Sequence, residues 1–437
     1  MILQKIKNIY WNNKLLSDEQ KSNVYYKIQK LLRVNSGGKL STKNKDKVLE
    51  AYCKQVLAIP TDRDKKYYKS LTTHPYRRVS QDPKIIAYYL PQFHENPENN
   101  AWWGKGTTEW NNVGRAVPQY LGHYQPRQPG ELGYYDLRVK DVLVRQCELA
   151  KMYGIFGFAW YFYSFDGKSL LRRPLDMFLN SPDIDFPFCL CWANESWTRS
   201  FVGSSKEVVM KQNDSIESYK SFIQDAARYL KDSRYITIEG KKLLIVYKPL
   251  DIPGGEEVVS FWRKYCLKNG IGDLYVIGNF FQSMRMEDYQ GKGLDALGEF
   301  QIGSIVNNCK IINDQKDFVS NSFVGKVYDY RSLVEEQVYK INFDKYKMYN
   351  AIFPMWDNTP RRNNKDNIIF DGATPDLYKH WLHDIIENNR KRTDLDENLI
   401  FLNSWNEWGE GSYIEPDKRY GYAFLDATKE TIENSRT

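Results

Sequence analysis

Two glutamates near the end of the sequence have the types and spacing that glycosidic bond chemistry requires. Glu407 and Glu410 lie three residues apart in residues 401–415, which begin as an apolar run and then contain Trp405 and Trp408. Glycosidic bond chemistry needs one carboxyl group that protonates the leaving oxygen and a second that supplies or activates a nucleophile. We therefore predict that Glu407 and Glu410 are the catalytic pair, with indole rings beside them that stack on sugar rings.

Other carboxylates, amides and aromatic residues recur beside the apolar runs of the chain. They could hydrogen-bond or stack on a sugar, although carboxylates also form structural ion pairs and asparagines also begin loops. Arg361 and its neighbour Arg362 could meet an acidic sugar or a phosphate, or lie in solvent. The predicted substrate-binding residues are Tyr88, Trp103, Glu109, Trp110, Trp160, Tyr161, Trp192, Asn194, Glu195, Asn279, Glu299, Trp356, Asp357, Arg361, Trp405 and Asn406.

The elements that must position these residues alternate between strand-like and helix-like patterns. Eight apolar runs are followed by helical patterns, and buried parallel strands are typically continuous apolar runs. The runs cover residues 84–93, 154–165, 186–195, 241–249, 274–281, 294–301, 348–358 and 398–408. The helical patterns lie near residues 138–153, 169–180, 214–231, 255–269, 284–291, 330–342, 374–391 and 416–434.

Eight strand–helix units predict an α/β fold, a (β/α)8 TIM-type barrel over residues 83–437. The alternative is a doubly wound open sheet, but no Gly-x-Gly-x-x-Gly follows the first run. Active sites of such barrels lie at the C-terminal ends of the strands, where polar and aromatic residues should then collect. Nine of the twelve tryptophans follow this rule, namely those at positions 102, 103, 110, 160, 192, 197, 356, 405 and 408.

Residues 1–80 form a basic segment that differs in composition from the rest of the chain. They contain 18 lysines and arginines against 6 aspartates and glutamates, a net charge of +12, whereas the remainder carries 44 against 49, or −5. Helical patterns lie near residues 2–10, 19–33 and 47–57. The segment is either an amphipathic anchor for an anionic membrane surface or a helical extension that packs on the barrel. No recognised motif for nucleic-acid binding accompanies the lysines.

The sequence predicts neither a metal site nor a cofactor. His380 and His383 form a pair on a predicted outer helix, but no third ligand lies near them in the sequence. No apolar run is long enough to span a bilayer, and the first residues do not resemble a cleaved signal. The six cysteines are scattered, as expected of reduced thiols. We predict a cytoplasmic protein, peripheral at the inner membrane if residues 1–80 are an anchor.

Six separated motifs occur in an order that resembles one known family. They are Tyr-Leu-Pro-Gln-Phe-His at 89–94, Trp-Trp-Gly-Lys-Gly-Thr-Thr-Glu-Trp at 102–110, Gly-His-Tyr-Gln-Pro at 122–126, Phe-Pro-Phe-Cys-Leu-Cys-Trp-Ala-Asn-Glu at 186–195, Pro-Met-Trp-Asp-Asn-Thr-Pro-Arg-Arg at 354–362 and Asn-Glu-Trp-Gly-Glu-Gly at 406–411. Together they resemble the WbsX family of bacterial surface-polysaccharide gene clusters, whose members are often called glycosyltransferases. The resemblance covers roughly residues 83–420.

The WbsX family is similar in turn to glycoside hydrolase family 99, the endo-α-1,2-mannosidases and mannanases, which are (β/α)8 barrels. The Glu-Trp-x-Glu-Gly pattern carries over to residues 407–411. The resemblance implies that Glu407 handles the sugar 2-hydroxyl, which attacks its own anomeric carbon to give a 1,2-anhydro sugar. It implies that Glu410 acts as acid and then as base, with retention and without a metal.

The predicted function is therefore that of a carbohydrate-active enzyme in lipopolysaccharide O-antigen or capsule metabolism. Its substrate would be an oligosaccharide or a lipid-linked glycan. One alternative is a glycosyltransferase that uses an activated sugar donor, which a nucleotide site would favour. A second is a non-catalytic glycan-binding barrel, which would tolerate loss of both glutamates.

Overall fold

The computed structural model of the chain describes residues 42–58, 63–198, 207–281, 284–300, 305–320, 322–340, 346–362 and 366–436. Two compact units, Met1–Cys53 and Lys54–Thr437, divide the chain. The helix predicted near 47–57 is confirmed as Thr42–Ala58, whereas the two helical patterns before it lie outside the described residues. In the second unit, Asp64 N donates to Arg419 O and Thr72 N to the Tyr153 hydroxyl. The segment after residue 63 therefore packs on the barrel, and the domain boundary near residue 80 stays a prediction.

Eight parallel strands form the closed barrel that the alternation of apolar runs predicts. Each strand pairs with the next along the chain, and the last pairs with the first, so the open-sheet alternative is wrong. The strands are β1 Lys84–Tyr89, β2 Ile155–Phe165, β3 Phe188–Trp192, β4 Lys241–Val246, β5 Leu274–Phe280, β6 Ala296–Glu299, β7 Met348–Ile352 and β8 Leu399–Leu402.

The described helices begin with α1 Thr42–Ala58. Those that cover the outside of the barrel or cross its C-terminal end are α2 Pro97–Trp103, α3 Glu109–Gly114, α4 Lys140–Met152, α5 Arg173–Leu179, α6 Ile216–Leu230, α7 Gly255–Lys268, α8 Tyr330–Glu335, α9 Thr359–Arg362, α10 Pro375–Arg390 and α11 Ala423–Asn434. The pattern at 284–291 yields only the 3-10 turn Met286–Tyr289. Within the described residues, no helix is both long and apolar enough to cross a bilayer. The six cysteines all lie in described residues and are free.

The helices form where side-chain caps and one apolar face coincide. In α6 the Ser215 side chain accepts the Ser218 amide, and in α10 Thr374 accepts the Leu377 amide. Such caps satisfy amides that have no partner inside the helix. The buried face of α6 repeats at helical spacing, as expected of an amphipathic helix that packs on a sheet, through Tyr219, Phe222, Ile223, Ala226, Tyr229 and Leu230.

The last two predicted runs are each interrupted just beyond the barrel. The strand β7 ends before Pro354, which has no amide hydrogen for a ladder, and Trp356–Asp357 then pairs antiparallel with Asn367–Asp371. After β8, Asn406–Glu407 pairs antiparallel with Ser412–Tyr413. The site motifs therefore lie on small hairpins that follow the strands. Other short strands are Lys168–Leu170, Trp197–Thr198, Val208–Met210, Thr237–Ile238 and Gly325–Asp329.

Candidate active site

A cavity of about 470 Å³ opens at the C-terminal ends of the barrel strands. This volume lies in the range typical of sites for small ligands. Its lining combines aromatic rings with carboxylates and cations. The lining residues on which the argument rests are Trp103, Tyr161, Tyr163, Glu195, Trp197, Tyr247, Lys248, Phe281, Phe300, Trp356, Arg361, Arg362, Glu407 and Glu410.

Both predicted catalytic glutamates bind one buried guanidinium group. Arg361 Nη2 lies 2.6 Å from Glu407 Oε2, and Arg361 Nη1 lies 2.8 Å from Glu410 Oε1. A third carboxylate binds the remaining nitrogen, because Arg361 Nε lies 2.6 Å from Glu109 Oε1. Glu109 is fully buried, Glu407 is nearly so, and the Glu410 side chain keeps 24% of its surface exposed. Glu410 is therefore the most accessible carboxylate of the cluster.

Three carboxylates around one cation leave the cluster with excess negative charge away from water. Burial raises the pKa of Glu407 well above its ordinary range, and the neighbouring Glu410 and Glu109 raise it further against the opposing effect of Arg361. Burial likewise raises the pKa of Glu109, again against Arg361. Burial alone lowers the pKa of Arg361, but the three carboxylates raise it well above its ordinary value. The cluster therefore retains protons at a pH where an exposed glutamate is ionised.

Local hydrogen bonds fix the backbone that carries Glu407. The Ser404 hydroxyl accepts the Glu407 amide at 2.8 Å and donates to Ser412 O at 2.7 Å. The Asn406 side chain accepts the Leu90 amide and donates to Leu90 O, at 2.8 and 3.0 Å. These bonds join the hairpin after β8 to the end of β1, so the position of Glu407 depends on both strands.

A buried carboxylate behind the site holds Trp408. Glu415 Oε2 accepts the Trp408 indole N–H at 2.6 Å and the Tyr135 hydroxyl at 3.0 Å, while Oε1 accepts Gln146 Nε2 at 2.6 Å. Trp408 also stacks on Tyr413, with ring centroids 3.7 Å apart. Burial raises the pKa of Glu415 to about 7 despite these bonds.

The Gly-His-Tyr-Gln-Pro motif positions Arg361 through Asp357. Asp357 Oδ2 accepts hydrogen bonds from His123 Nε2 at 2.7 Å and Gln125 Nε2 at 2.6 Å. Asp357 Oδ1 accepts the amide and the hydroxyl of Thr359, which begins the short helix α9 that carries Arg361. Burial alone would raise the pKa of Asp357, but His123 and its other partners hold that pKa well below its ordinary value.

Seven of the predicted site residues line the cavity, and four more lie directly beneath or behind it. Those lining it are Trp103, Tyr161, Glu195, Trp356, Arg361, Glu407 and Glu410. The Glu109 carboxylate lies behind Arg361, while Tyr88 stacks on Tyr161 at 5.5 Å and donates to Asn279 Oδ1. Glu299 Oε2 accepts the Ala351 amide in the barrel interior.

The remaining predicted site residues do not line the cavity, so their contact with substrate stays a prediction. Trp160 packs between Tyr89 and Phe178 of α5. Trp192 stacks on Phe222 of α6 at 4.1 Å. Because both faces of a barrel strand are covered, an aromatic residue at a strand end can point outward to the helices as readily as inward.

Five further residues of the prediction have structural contacts and do not line this cavity. Trp405 packs on Phe158, and Trp110 packs on Trp408. The Asn194 side chain exchanges two hydrogen bonds with the backbone of Lys248. Asn406 and Asp357 are occupied by the bonds given above and do not line the cavity.

Several cavity residues were missed by the sequence prediction. Tyr163 follows Tyr161 by two positions and therefore shares its face of β2, a signal that was present in the sequence. Tyr247 and Lys248 directly follow β4, and Phe300 directly follows β6. Trp197, which the sequence placed at a strand end but not among the substrate-binding residues, lines the cavity from the short strand Trp197–Thr198 and contacts Tyr163 at 4.9 Å.

The described residues contain no group of three or more His, Cys, Asp or Glu side chains that could hold a metal ion. The pair His380 and His383 lies on the outer helix α10. What the site offers is a carboxylate pair, a cation that joins them and aromatic walls. A (β/α)8 barrel that presents these groups at its C-terminal end has the features of a sugar-binding barrel.

The family of the chain follows from its sequence. The profile of the family described as glycosyltransferase WbsX matches residues 85–428, and the chain belongs to this family, as its motifs predicted. Proteins named WxcX, described as uncharacterized, from two strains of Xanthomonas campestris pv. campestris are 40% identical to it over 348 residues. The match covers 80% of this chain and 49% of each relative. The chain therefore spans about half the length of the curated relatives it matches.

Solved structures share the fold at low sequence identity. A family 99 endo-α-mannosidase from Bacteroides thetaiotaomicron superposes with a TM-score of 0.50 and 13% identity, over 80% of this chain and 97% of that one. A protein described as glycoside hydrolase-like gives a TM-score of 0.53 and 17% identity, over 83% and 97% of the two chains. These similarities confirm the barrel fold.

Proposed function

We propose that the protein acts on a glycosidic bond of a bacterial surface polysaccharide, with Glu407 and Glu410 as the reacting carboxyl groups. The proposal rests on one observation: Arg361 forms an ion pair with each of these two glutamates, at the wall of a cavity lined with aromatic rings. Two carboxyl groups held near each other are what acid and base catalysis at a sugar requires. The family membership supports a role in O-antigen or capsule metabolism.

In the proposed first step, the ionised form of Glu407, whose raised pKa makes it a stronger base than an exposed glutamate, takes the proton of the sugar 2-hydroxyl while O2 attacks the anomeric carbon of the same sugar. Glu410 donates its proton to the glycosidic oxygen as the bond from that oxygen to the anomeric carbon breaks. The products are a 1,2-anhydro sugar and a leaving group with a free hydroxyl. The greater exposure of Glu410 suits the residue that meets the leaving oxygen.

In the proposed second step, Glu410 removes a proton from the incoming water or sugar hydroxyl. The resulting oxygen attacks the anomeric carbon, the bond from that carbon to O2 breaks, and Glu407 returns its proton to O2. Two inversions give net retention, and both carboxyl groups regain their starting states. The acceptor decides whether the outcome is hydrolysis or transfer.

The charge of the cavity favours this mechanism over transfer from a nucleotide sugar. Three carboxylates already bind Arg361, and Lys248 forms an ion pair with Glu195 at 2.8 Å. Of the cations that line the cavity this leaves the exposed Arg362, one positive charge against the several negative charges of a diphosphate. A diphosphate site requires cations or backbone amides that are available to the phosphates. We therefore expect no saturable binding of a nucleoside diphosphate, with or without Mg²⁺ or Mn²⁺.

The test is incubation of the full chain with the repeat-unit oligosaccharide of the producing bacterium's surface polysaccharide. Mass spectrometry detects cleavage or transfer, and NMR of the first product reports the anomeric configuration. We expect retention, and a loss of turnover of about 10²–10⁴-fold in Glu407→Gln and Glu410→Gln. Glu335→Gln, at an exposed site on α8, is the matched control. Full turnover in both active-site variants would contradict the mechanism, whereas oligosaccharide binding without turnover in the wild type would favour the glycan-binding alternative.

The basic segment is part of the same proposal, as a peripheral contact with an anionic membrane that carries a lipid-linked glycan. Its net charge of +12 within residues 1–80 supports this contact. The test is co-sedimentation of the full chain with anionic vesicles, at low and high salt. Replacement of Lys5, Lys7 and Lys14 by Gln should weaken binding to the vesicles. Equal binding of the wild type and this variant would rule out these lysines as the anchor.

A further inference from the structure

The cluster around Arg361 joins three segments that are distant in sequence. Glu109 begins α3, Arg361 lies in α9, and the two catalytic glutamates follow β8. Each carboxylate binds a different nitrogen of the guanidinium. Because the guanidinium is rigid and planar, fixing its Nε end also fixes the directions in which its two terminal nitrogens point.

Glu109 and Arg361 are held independently of the glutamates that they contact. Asn112 Nδ2 donates to Glu109 Oε2 at 3.2 Å, one turn further along α3. The Arg115 side chain donates to Pro360 O at 3.0 and 2.8 Å and to Arg361 O at 3.3 Å. The helices α3 and α9 are therefore tied together beneath the cavity before any substrate binds.

Gly409 shows how closely the turn with the catalytic glutamates packs on this pair. A Cβ atom at position 409 would overlap Glu109 Oε1 and would lie 3.0 Å from Arg361 Nε. The space that a side chain would need is thus occupied by the Glu109 carboxylate. The glycine between Glu407 and Glu410 is required by the third carboxylate.

We propose that Glu109 and Arg361 are positioning residues, in which Glu109 orients the guanidinium and the guanidinium holds Glu407 and Glu410 at their working separation. The inference rests on the proposed function only for the reaction that the two glutamates perform. Neither positioning residue exchanges a proton with substrate. A displacement of about 1 Å between reacting groups lowers the rate by about 10²-fold, so loss of either positioning residue should have a measurable effect on turnover.

The charges facing Glu407 make its pKa a measure of the positioning role, because a purely structural role of Glu109 and Arg361 would not change that pKa in opposite directions. Glu109 repels the Glu407 carboxylate and also shares Arg361 with it, whereas Arg361 attracts it. Loss of Glu109 charge should therefore lower the pKa of Glu407, and loss of Arg361 should raise it. The titratable and charged groups around Glu407 are Glu109, Glu410, Arg361, Tyr161, Tyr163 and Tyr247.

The test follows protonation of Glu407 in the full chain by infrared titration of its carboxyl band. Glu407→Gln identifies the band by subtraction. We expect the midpoint to move to lower pH in Glu109→Gln and to higher pH in Arg361→Gln. Glu98→Gln, which removes a carboxylate paired with Lys168 outside the cluster, should leave the midpoint unchanged. Midpoints that stay constant in Glu109→Gln, or shifts of the same sign in both variants, would overturn the proposal.

A second variant keeps the test decisive if Arg361→Gln does not fold. Gly409→Ala retains every charged group but displaces Glu109, whereas Gly114→Ala adds a methyl group to open space and is its control. We expect Gly409→Ala to lower kcat by about 10²-fold with KM little changed, and normal turnover would overturn the proposal. If the wild type shows no turnover but the infrared shifts have opposite signs, the proposed function fails and the positioning role stands.

Discussion

The Glu415 carboxyl group should make the protein less stable as the pH rises, and Glu415→Gln should remove this effect. Glu415 is 3% exposed and its described partners, Trp408, Tyr135 and Gln146, are neutral. Burial raises its pKa from 4.5 to about 7. Between these values the unfolded chain loses the proton and the folded chain keeps it.

The sign and size of the effect follow from proton linkage. Because the folded state binds more protons than the unfolded state in this window, its stability is fully present below about pH 4.5 and falls as the pH rises toward 7. Each pH unit between the two values corresponds to about 1.4 kcal/mol. The carboxyl group of Glu415 therefore removes about 3 kcal/mol of unfolding free energy between about pH 4 and pH 8.

The assay is urea denaturation of wild type and Glu415→Gln across this pH range, followed by tryptophan fluorescence. Other titrating groups contribute equally to both proteins, so the difference in unfolding free energy isolates Glu415. That difference should change by about 3 kcal/mol in favour of the variant between pH 4 and pH 8. Glu335→Gln, at an exposed position, is the control variant. A constant difference for Glu415→Gln would show that the carboxyl group titrates at the same pH in the folded and the unfolded chain, which would refute the reasoning.

Two further predictions test the other assignments. Asp357→Asn should lower the unfolding free energy by about 2–3 kcal/mol at neutral pH, because four hydrogen bonds to a carboxylate are weakened. Since the folded pKa of Asp357 is depressed, this deficit should shrink as the pH falls below about 3.9, and a deficit that persists in acid would argue against an ionised Asp357. Trp192→Ala should cost about 3–5 kcal/mol of stability without changing oligosaccharide affinity, whereas Trp103→Ala should weaken affinity by about tenfold at nearly unchanged stability. The reverse pattern, measured by urea denaturation and equilibrium binding, would place Trp192 in the cavity.

The barrel itself could be predicted from the sequence because its signal is local. Each of the eight strands lies within a continuous apolar run, and most of the helical patterns form helices at or within the predicted bounds. The end of the barrel that carries the cavity could also be predicted, because Glu407 and Glu410 directly follow the last run. The predicted ends of the last two strands were wrong, because the chain leaves the barrel at Pro354 and at residues 403–405 and forms small hairpins there.

The sequence by itself determined the eight-unit barrel, the family and the carboxylate pair, since all three depend on residues that are near each other in the chain. Only the tertiary structure decided which aromatic residues face the cavity, because both faces of a barrel strand are apolar and Trp192 turned outward. It also decided the contacts of Arg361, for which the sequence left solvent and an acidic ligand open. Two of its partners, Glu407 and Glu109, lie 46 and 252 positions away. No local pattern relates such residues, and only the closure of the barrel brings their charges together.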